Sequence, residues 1–225
     1  MSKSHIENCF LSCNHRVETL PEQAEWSPFL FPGDDESIDF VDGLHTLAGS
    51  GDPNIKEGIA LYIYVINMNM KSRAFCNADG DFLLCPQQGI LDIQTEFGMI
   101  FLQPGEICVL QRGIRFSVNL AEGQSQARGY ITEVWGSTWE LPDLGPLGGH
   151  GLANARDFLF PVAHIDDDLH VSYTIVNKIN GKYAAIKQDH SPYDLVAWHG
   201  NTVPYKVQLS MLKMKNTTDK VYSMT

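Results

Sequence analysis

Three groups of residues have the types and spacing that chemistry needs. Cys9, Cys13 and His15 put three soft donors within seven residues. A structural zinc site wants four ligands, commonly with paired spacings, and no Cys-x2-Cys completes this set. The start of the chain therefore reads as a plain lead. Five histidines come late: His150, His164, His170, His190 and His199, with Asp157, Asp166, Asp167 and Asp168 among them. Two histidines and a carboxylate suffice for a ferrous site with open positions. No His-x3-Glu is present, and the single His-x-Asp, His164-Ile165-Asp166, has no second histidine at ligand spacing beside it, so each of the five reads as a hydrogen-bonded structural residue. His150, in the glycine-rich loop, and His199, between Trp198 and Gly200, are the first choices if one acts. Gly43–Asp52 is rich in glycine, but it has no Gly-Lys-Ser/Thr, and Gly49-Ser50-Gly51 is not Gly-x-Ser-x-Gly. It fits neither a phosphate loop nor a nucleophile elbow and reads as a tight turn.

The elements that must position such residues follow from pattern. Ile59–Ile66 is an apolar run and reads as a strand buried on both faces. Asp79-Gly80 signals a turn before Phe82–Cys85, and Pro104-Gly105 a turn before Ile107–Leu110. Ile90–Thr95, Met99–Leu102, Phe116–Leu120 and Tyr130–Trp135 are further strands. Tyr173–Ile179 and Lys182–Lys187 joined by Asn180-Gly181 read as a hairpin with a type I′ turn, both of whose central residues take positive φ. Short strands, frequent turns and no long 3.6-residue period predict a mostly β, antiparallel jelly roll or sandwich. Residues 1–38 are an irregular lead, residues 39–206 the β domain, and residues 207–225 a divergent tail. Leu141–Ala155, with Pro142, Pro146 and four glycines, has no regular pattern and reads as a functional or pinned loop.

Composition narrows the class. The 225 residues carry 16 Lys+Arg against 27 Asp+Glu, a net charge of −11. Without a basic run, phosphate neutralisation is out of reach, which argues against nucleic acid and anionic membrane surfaces as partners. Five cysteines, Cys9, Cys13, Cys76, Cys85 and Cys108, are an odd number, three of them in strand-like runs. They read as reduced thiols of a cytoplasmic protein. Met1–Cys13 lacks a signal-peptide pattern, and the longest apolar run is too short to span a bilayer.

Pro104–Phe116 resembles the second motif of cupin jelly rolls: Pro-Gly-acid, a strand, a glycine turn, then the place of a metal-binding histidine. Phe116 stands in that place, and no histidine lies between His45 and His150. Asp81–Gly89 resembles the end of the first motif, with no His-x-His before it. The resemblance implies a degenerate cupin-like domain with Phe116 in its core and no metal in the barrel.

Longer strings carry a more specific resemblance. Asp39–Leu47, Asn77–Leu83, Thr95–Gly98, Glu106–Gly113, Glu140–Pro146, Gly151–Phe158 and Ala197–Asn201 together resemble the amino-terminal β domain of homogentisate 1,2-dioxygenases over about Trp26–Lys206. That resemblance implies iron-dependent opening of the homogentisate ring by dioxygen to maleylacetoacetate, in tyrosine and phenylalanine catabolism. It also implies a trimer or hexamer of identical subunits. The family's Fe(II) ligands, two histidines and a glutamate, lie in a second domain, downstream of the matching segment. The expectation is therefore a truncated chain, inactive alone, with no catalytic or metal residue of its own and no bound Fe(II). It should expose an apolar side where the other domain docks. The alternatives are an inactive scaffold or assembly protein that binds full-length subunits, and a small enzyme built on the late histidines.

Overall fold

The computed structural model describes residues 29–33, 35–141, 155–167, 171–197 and 202–211. Thirteen strands, β1 to β13, run in chain order within them. They are Leu44–Asp52, Glu57–Ile66, Arg73–Asn77, Gly80–Gln88, Leu91–Thr95, Gly98–Leu102, Glu106–Leu110, Arg115–Leu120, Ala127–Trp135, Phe158–Leu159, Tyr173–Ile179, Lys182–Gln188 and Tyr205–Gln208. The only helical pieces among the described residues are 3-10 turns at Ala155–Asp157 and Leu209–Met211, so none is long and apolar enough to cross a membrane.

Two sheets face each other. One has the order β1-β2-β9-β4-β7-β13-β10, the other β12-β11-β3-β8-β5-β6. β4 pairs with β9 and β5 with β8, each pair enclosing the strands between, which is the nested winding of a jelly roll. All pairings between these strands are antiparallel except β3 with β11, which is parallel. The expected mostly β, antiparallel class holds with that one exception.

The inward side chains alternate along each strand, as a sheet with one face on a core requires. Phe40, Tyr64, Phe75, Phe82, Leu84, Ile93, Phe116, Val118 and Ile131 meet in one continuous core. Phe116 packs edge-on against Phe40 and Phe75, at centroid distances of 5.9 and 5.6 Å. It is a core residue, as expected. The hairpin is also as expected: β11 and β12 pair from Tyr173–Gln188 down to Ile179–Lys182. Asn180 and Gly181 have φ of 51° and 69°.

Two expectations need correction. Ile59–Ile66 is not buried on both faces: Ala60, Tyr62 and Tyr64 point inward, while Ile59 is 42% exposed. The strand belongs to an antiparallel sheet with one face on the core, so Ile59–Ile63 alternate despite being apolar, and only Tyr64–Ile66 are buried without a break. Gly43–Asp52 is not a loop: only residues 40–43 turn, and Leu44–Asp52 pairs along β2 with a bulge between Thr46 and Ala48. The glycines that suggest a loop make close approach possible instead. Gly51 faces Gly58 across the ladder, and a Cβ on either would lie within 2.7 Å of the other's Cα. β13 runs across the expected boundary at residue 206, and Val207 is buried in a satellite cluster with Val109, Phe158 and Tyr205.

Candidate functional site

The interior is not apolar throughout. Glu133 is in register with Ile131 and Trp135 on β9, so its carboxylate points inward. Tyr62 of β2, Asn77 of β3 and Lys178 of β11 point to the same spot from both sheets. Oε1 of Glu133 accepts from Asn77 Nδ2 at 2.6 Å and from Lys178 Nζ at 2.8 Å. Oε2 accepts from the Tyr62 hydroxyl at 2.6 Å and from Lys178 Nζ at 2.9 Å. Lys178 also donates to Asp79 Oδ2 at 2.8 Å. Its side chain is 1% exposed, those of Asp79 and Glu133 3% and 0%. Asp79 in turn accepts from the backbone N–H of Asn180 and Gly181, at 2.5 and 2.8 Å. One buried ammonium thus joins the two sheets and the hairpin turn. Burying charge is tolerable only with such pairing and hydrogen bonding.

Outside the core, Asp166 collects Gln94 Nε2 at 2.7 Å and the Ser191 hydroxyl at 2.6 Å. Tyr193 N–H donates to Ser191 Oγ, and its own hydroxyl lies 2.6 Å from Ser117 Oγ. Burial pushes the Tyr193 phenol far above its ordinary value, with Ser117 acting against it. These contacts fasten the segment around residues 189–197 onto the outer face of the second sheet. Asp39 and Asp42 both bind Arg73, at 2.6 and 2.7 Å. Burial works against that guanidinium's charge, and the two carboxylates outweigh it and raise its pKa. A cleft of about 470 Å³ opens elsewhere, between Arg112, Trp139, Phe160, Thr202 and Tyr205. Asp81 lines it but is engaged, accepting from the backbone N–H of Arg112 and of Trp139.

The residues singled out from sequence fall as follows. His164 Nε2 lies 3.8 Å from Asp166, and His190 Nδ1 3.0 Å from Asp189; both rings are about half exposed. The His45 ring lies 5.3 Å from that of Phe29, tilted by 31°. Cys9, Cys13, His15, His150, His170, His199, Asp168 and Pro142–Asn154 lie outside the described residues. Cys76, Cys85 and Cys108 are free thiols. Among the described residues no three His, Cys, Asp or Glu side chains converge as metal ligands do. The described residues therefore do not fit a ferrous ion held by two histidines and a carboxylate. Sequence reasoning misses the Glu133–Lys178–Asp79 group, although a signal is present: a glutamate two residues from both Ile131 and Trp135, and a lysine two residues from Val176.

The family model described as "Homogentisate 1,2-dioxygenase N-terminal" matches residues 2–209. The chain belongs to the homogentisate 1,2-dioxygenase family. Its human relative, homogentisate 1,2-dioxygenase, is 50% identical over 203 residues, which is 89% of this chain and 45% of the relative. The Arabidopsis thaliana relative of the same name is 51% identical over 199 residues, 88% of this chain and 42% of the relative. The chain thus spans less than half the length of these curated relatives. Among solved structures, a cupin-2 domain protein of Shewanella frigidimarina matches at 20% identity with a TM-score of 0.32. That match covers 40% of this chain and 78% of the other. The Cnp3 cupin domain of Schizosaccharomyces pombe is 14% identical, with a TM-score of 0.34, covering 44% and 69%.

Proposed function

We propose that this chain is the β domain of a homogentisate 1,2-dioxygenase, in which it supports an iron centre held by other residues. The observation that carries the reading is 50% identity to the human enzyme over nearly the whole chain. The whole protein would use dioxygen to open the homogentisate ring, in the cytoplasm and as an assembly of identical subunits. When bound, Fe(II) supplies the open coordination positions that dioxygen and the substrate need. No step of that reaction is assigned to the residues described above, because they do not fit the ion.

What the domain offers is an apolar edge. Phe101 of β6, Leu159 of β10 and the following Phe160 and Val162 are about half exposed or more. They are held near one another: Val162 bridges to Met99, and Lys206, opposite Leu159, donates to the Phe101 carbonyl. Exposed apolar groups gathered in this way mark a contact surface, which supports docking of a further domain or subunit. The same edge favours the second reading, an inactive scaffold that joins full-length subunits.

A dioxygen electrode separates the readings. The 225-residue chain alone, supplied with Fe(II) and homogentisate, should consume no oxygen. Fused to the portion of the human relative that it does not span, it should consume one dioxygen per homogentisate. A folded, iron-loaded fusion without uptake would end the enzymatic reading, and its co-purification with full-length subunits would then favour the scaffold.

A further inference from the structure

The polar pole of the interior has the form of a receptor for one cation, and its shape names the class. A primary ammonium carries three N–H donors and no acceptor. Lys178 Nζ meets three carboxylate oxygens, Glu133 Oε1 and Oε2 and Asp79 Oδ2, at 2.8, 2.9 and 2.8 Å. The face of Trp135 lies 6.0 Å away, a cation–π distance. The acceptors are themselves fixed from both sheets, by Tyr62, Asn77 and the Asn180-Gly181 turn. Two carboxylates against one ammonium leave the group one negative charge in excess. That charge is spread over four further hydrogen bonds, from Tyr62, Asn77, Asn180 and Gly181. With only two carboxylates and no third His, Cys, Asp or Glu, a metal ion is poorly served there.

We infer that this pole is a binding site for a primary alkylammonium ion, and that Lys178 is its tethered resident. The site recognises its occupant by N–H geometry as well as by charge, and its integrity does not depend on the function proposed above. Removing the side chain beyond Cβ vacates the atoms of n-propylammonium, with the acceptors still held by their other partners.

The test is Lys178→Ala in the full chain, refolded in n-propylammonium chloride or in tetramethylammonium chloride at equal concentration. The second ion has the charge but no N–H. An unpaired buried carboxylate should lower the thermal midpoint by about 10 °C. n-Propylammonium should restore at least half of that loss with a saturating dose dependence, and tetramethylammonium should not. Equal effects of the two salts, or none from either, overturn the inference. Should Lys178→Ala not fold in any salt, Lys178→Met and the double variant Lys178→Met/Glu133→Gln decide. The inference expects the double variant to be the more stable of the two and indifferent to n-propylammonium. A double variant less stable than Lys178→Met overturns it.

Discussion

The interior has two halves built on the same inward register and held by opposite means. Around Phe116 the packing is aromatic: Phe40, Phe75 and Phe82 lie at centroid distances near 6 Å, and no charge is involved. Around Glu133 the interactions are ionic and directional. Trimming an apolar side chain costs the area it buried and the cavity it leaves behind. Removing an ionic partner strands the charges that remain. The aromatic half should therefore tolerate change of shape, and the ionic half should not tolerate change of kind.

The largest effect expected is from Glu133→Ala, which takes the acceptor from Tyr62, Asn77 and Lys178 together. A loss of about 3–5 kcal/mol in denaturant unfolding is predicted, and a loss below about 1 kcal/mol would erase the distinction between the halves. Phe116→His comes next. Placing an imidazole among Phe40 and Phe75 strands its polar nitrogens, at a cost of about 2–4 kcal/mol. Those neighbours offer no ligand, so the variant should bind no Zn²⁺ or Fe²⁺ by calorimetry. Stoichiometric metal binding would show the barrel to be nearer a metal site than its lining indicates. Phe116→Leu keeps most of the volume and removes the edge-on ring geometry, for about 1–2 kcal/mol. If it costs as much as Glu133→Ala, the aromatic half is no more tolerant than the ionic one.

A smaller effect appears in alkali. Burial, aided by Asp81 and Cys108, raises the Tyr205 phenol to about 12. Folding thus favours the protonated phenol. That contribution is complete below the ordinary tyrosine value of 10.0 and is lost as pH rises from there to about 12. Cys108, pushed to about 12 chiefly by burial, adds a loss with the same sign from its ordinary value of 9.0 upward. Urea midpoints measured between about pH 9 and 12 should fall, and Tyr205→Phe should flatten part of the slope; an unchanged slope would remove Tyr205 from the account. The smallest effect is Gly181→Ala, where a Cβ at φ 69° costs about 1–2 kcal/mol or less in the same unfolding measurement.

Much of this fold is legible in the sequence because turn chemistry and period 2 act locally. Asn180-Gly181 permits little besides a type I′ hairpin, and Asp79-Gly80 and Pro104-Gly105 mark the starts of β4 and β7. What is not legible is set at long range. β1 reads as a loop because its glycines serve close approach to β2, and only the partner reveals that. β3 and β13 are five and four residues long, and long-range pairing decides them. The ionic pole escapes a reading of the sequence because Glu133 and Lys178 lie 45 residues apart. Each alone shares the register of apolar neighbours, but only the winding brings the two charges together in one interior. For the late histidines, lone spacing supports no site, and the two of them that are described each sit beside a single aspartate.

The parallel pairing of β3 with β11 has a consequence for synthesis. Thr174 lies opposite Arg73 and Lys178 opposite Asn77, about a hundred residues apart. At ribosomal rates of about 5–20 residues per second, that stretch takes roughly 5–20 s to emerge. Until it does, one side of β3 has no partner to pair with, and the carboxylate of Glu133 has no counter-charge. The nascent chain therefore passes through an interval with an open strand edge and an incomplete interior. In that interval chaperone occupancy has the most to protect, and the arrival of Lys178 ends it.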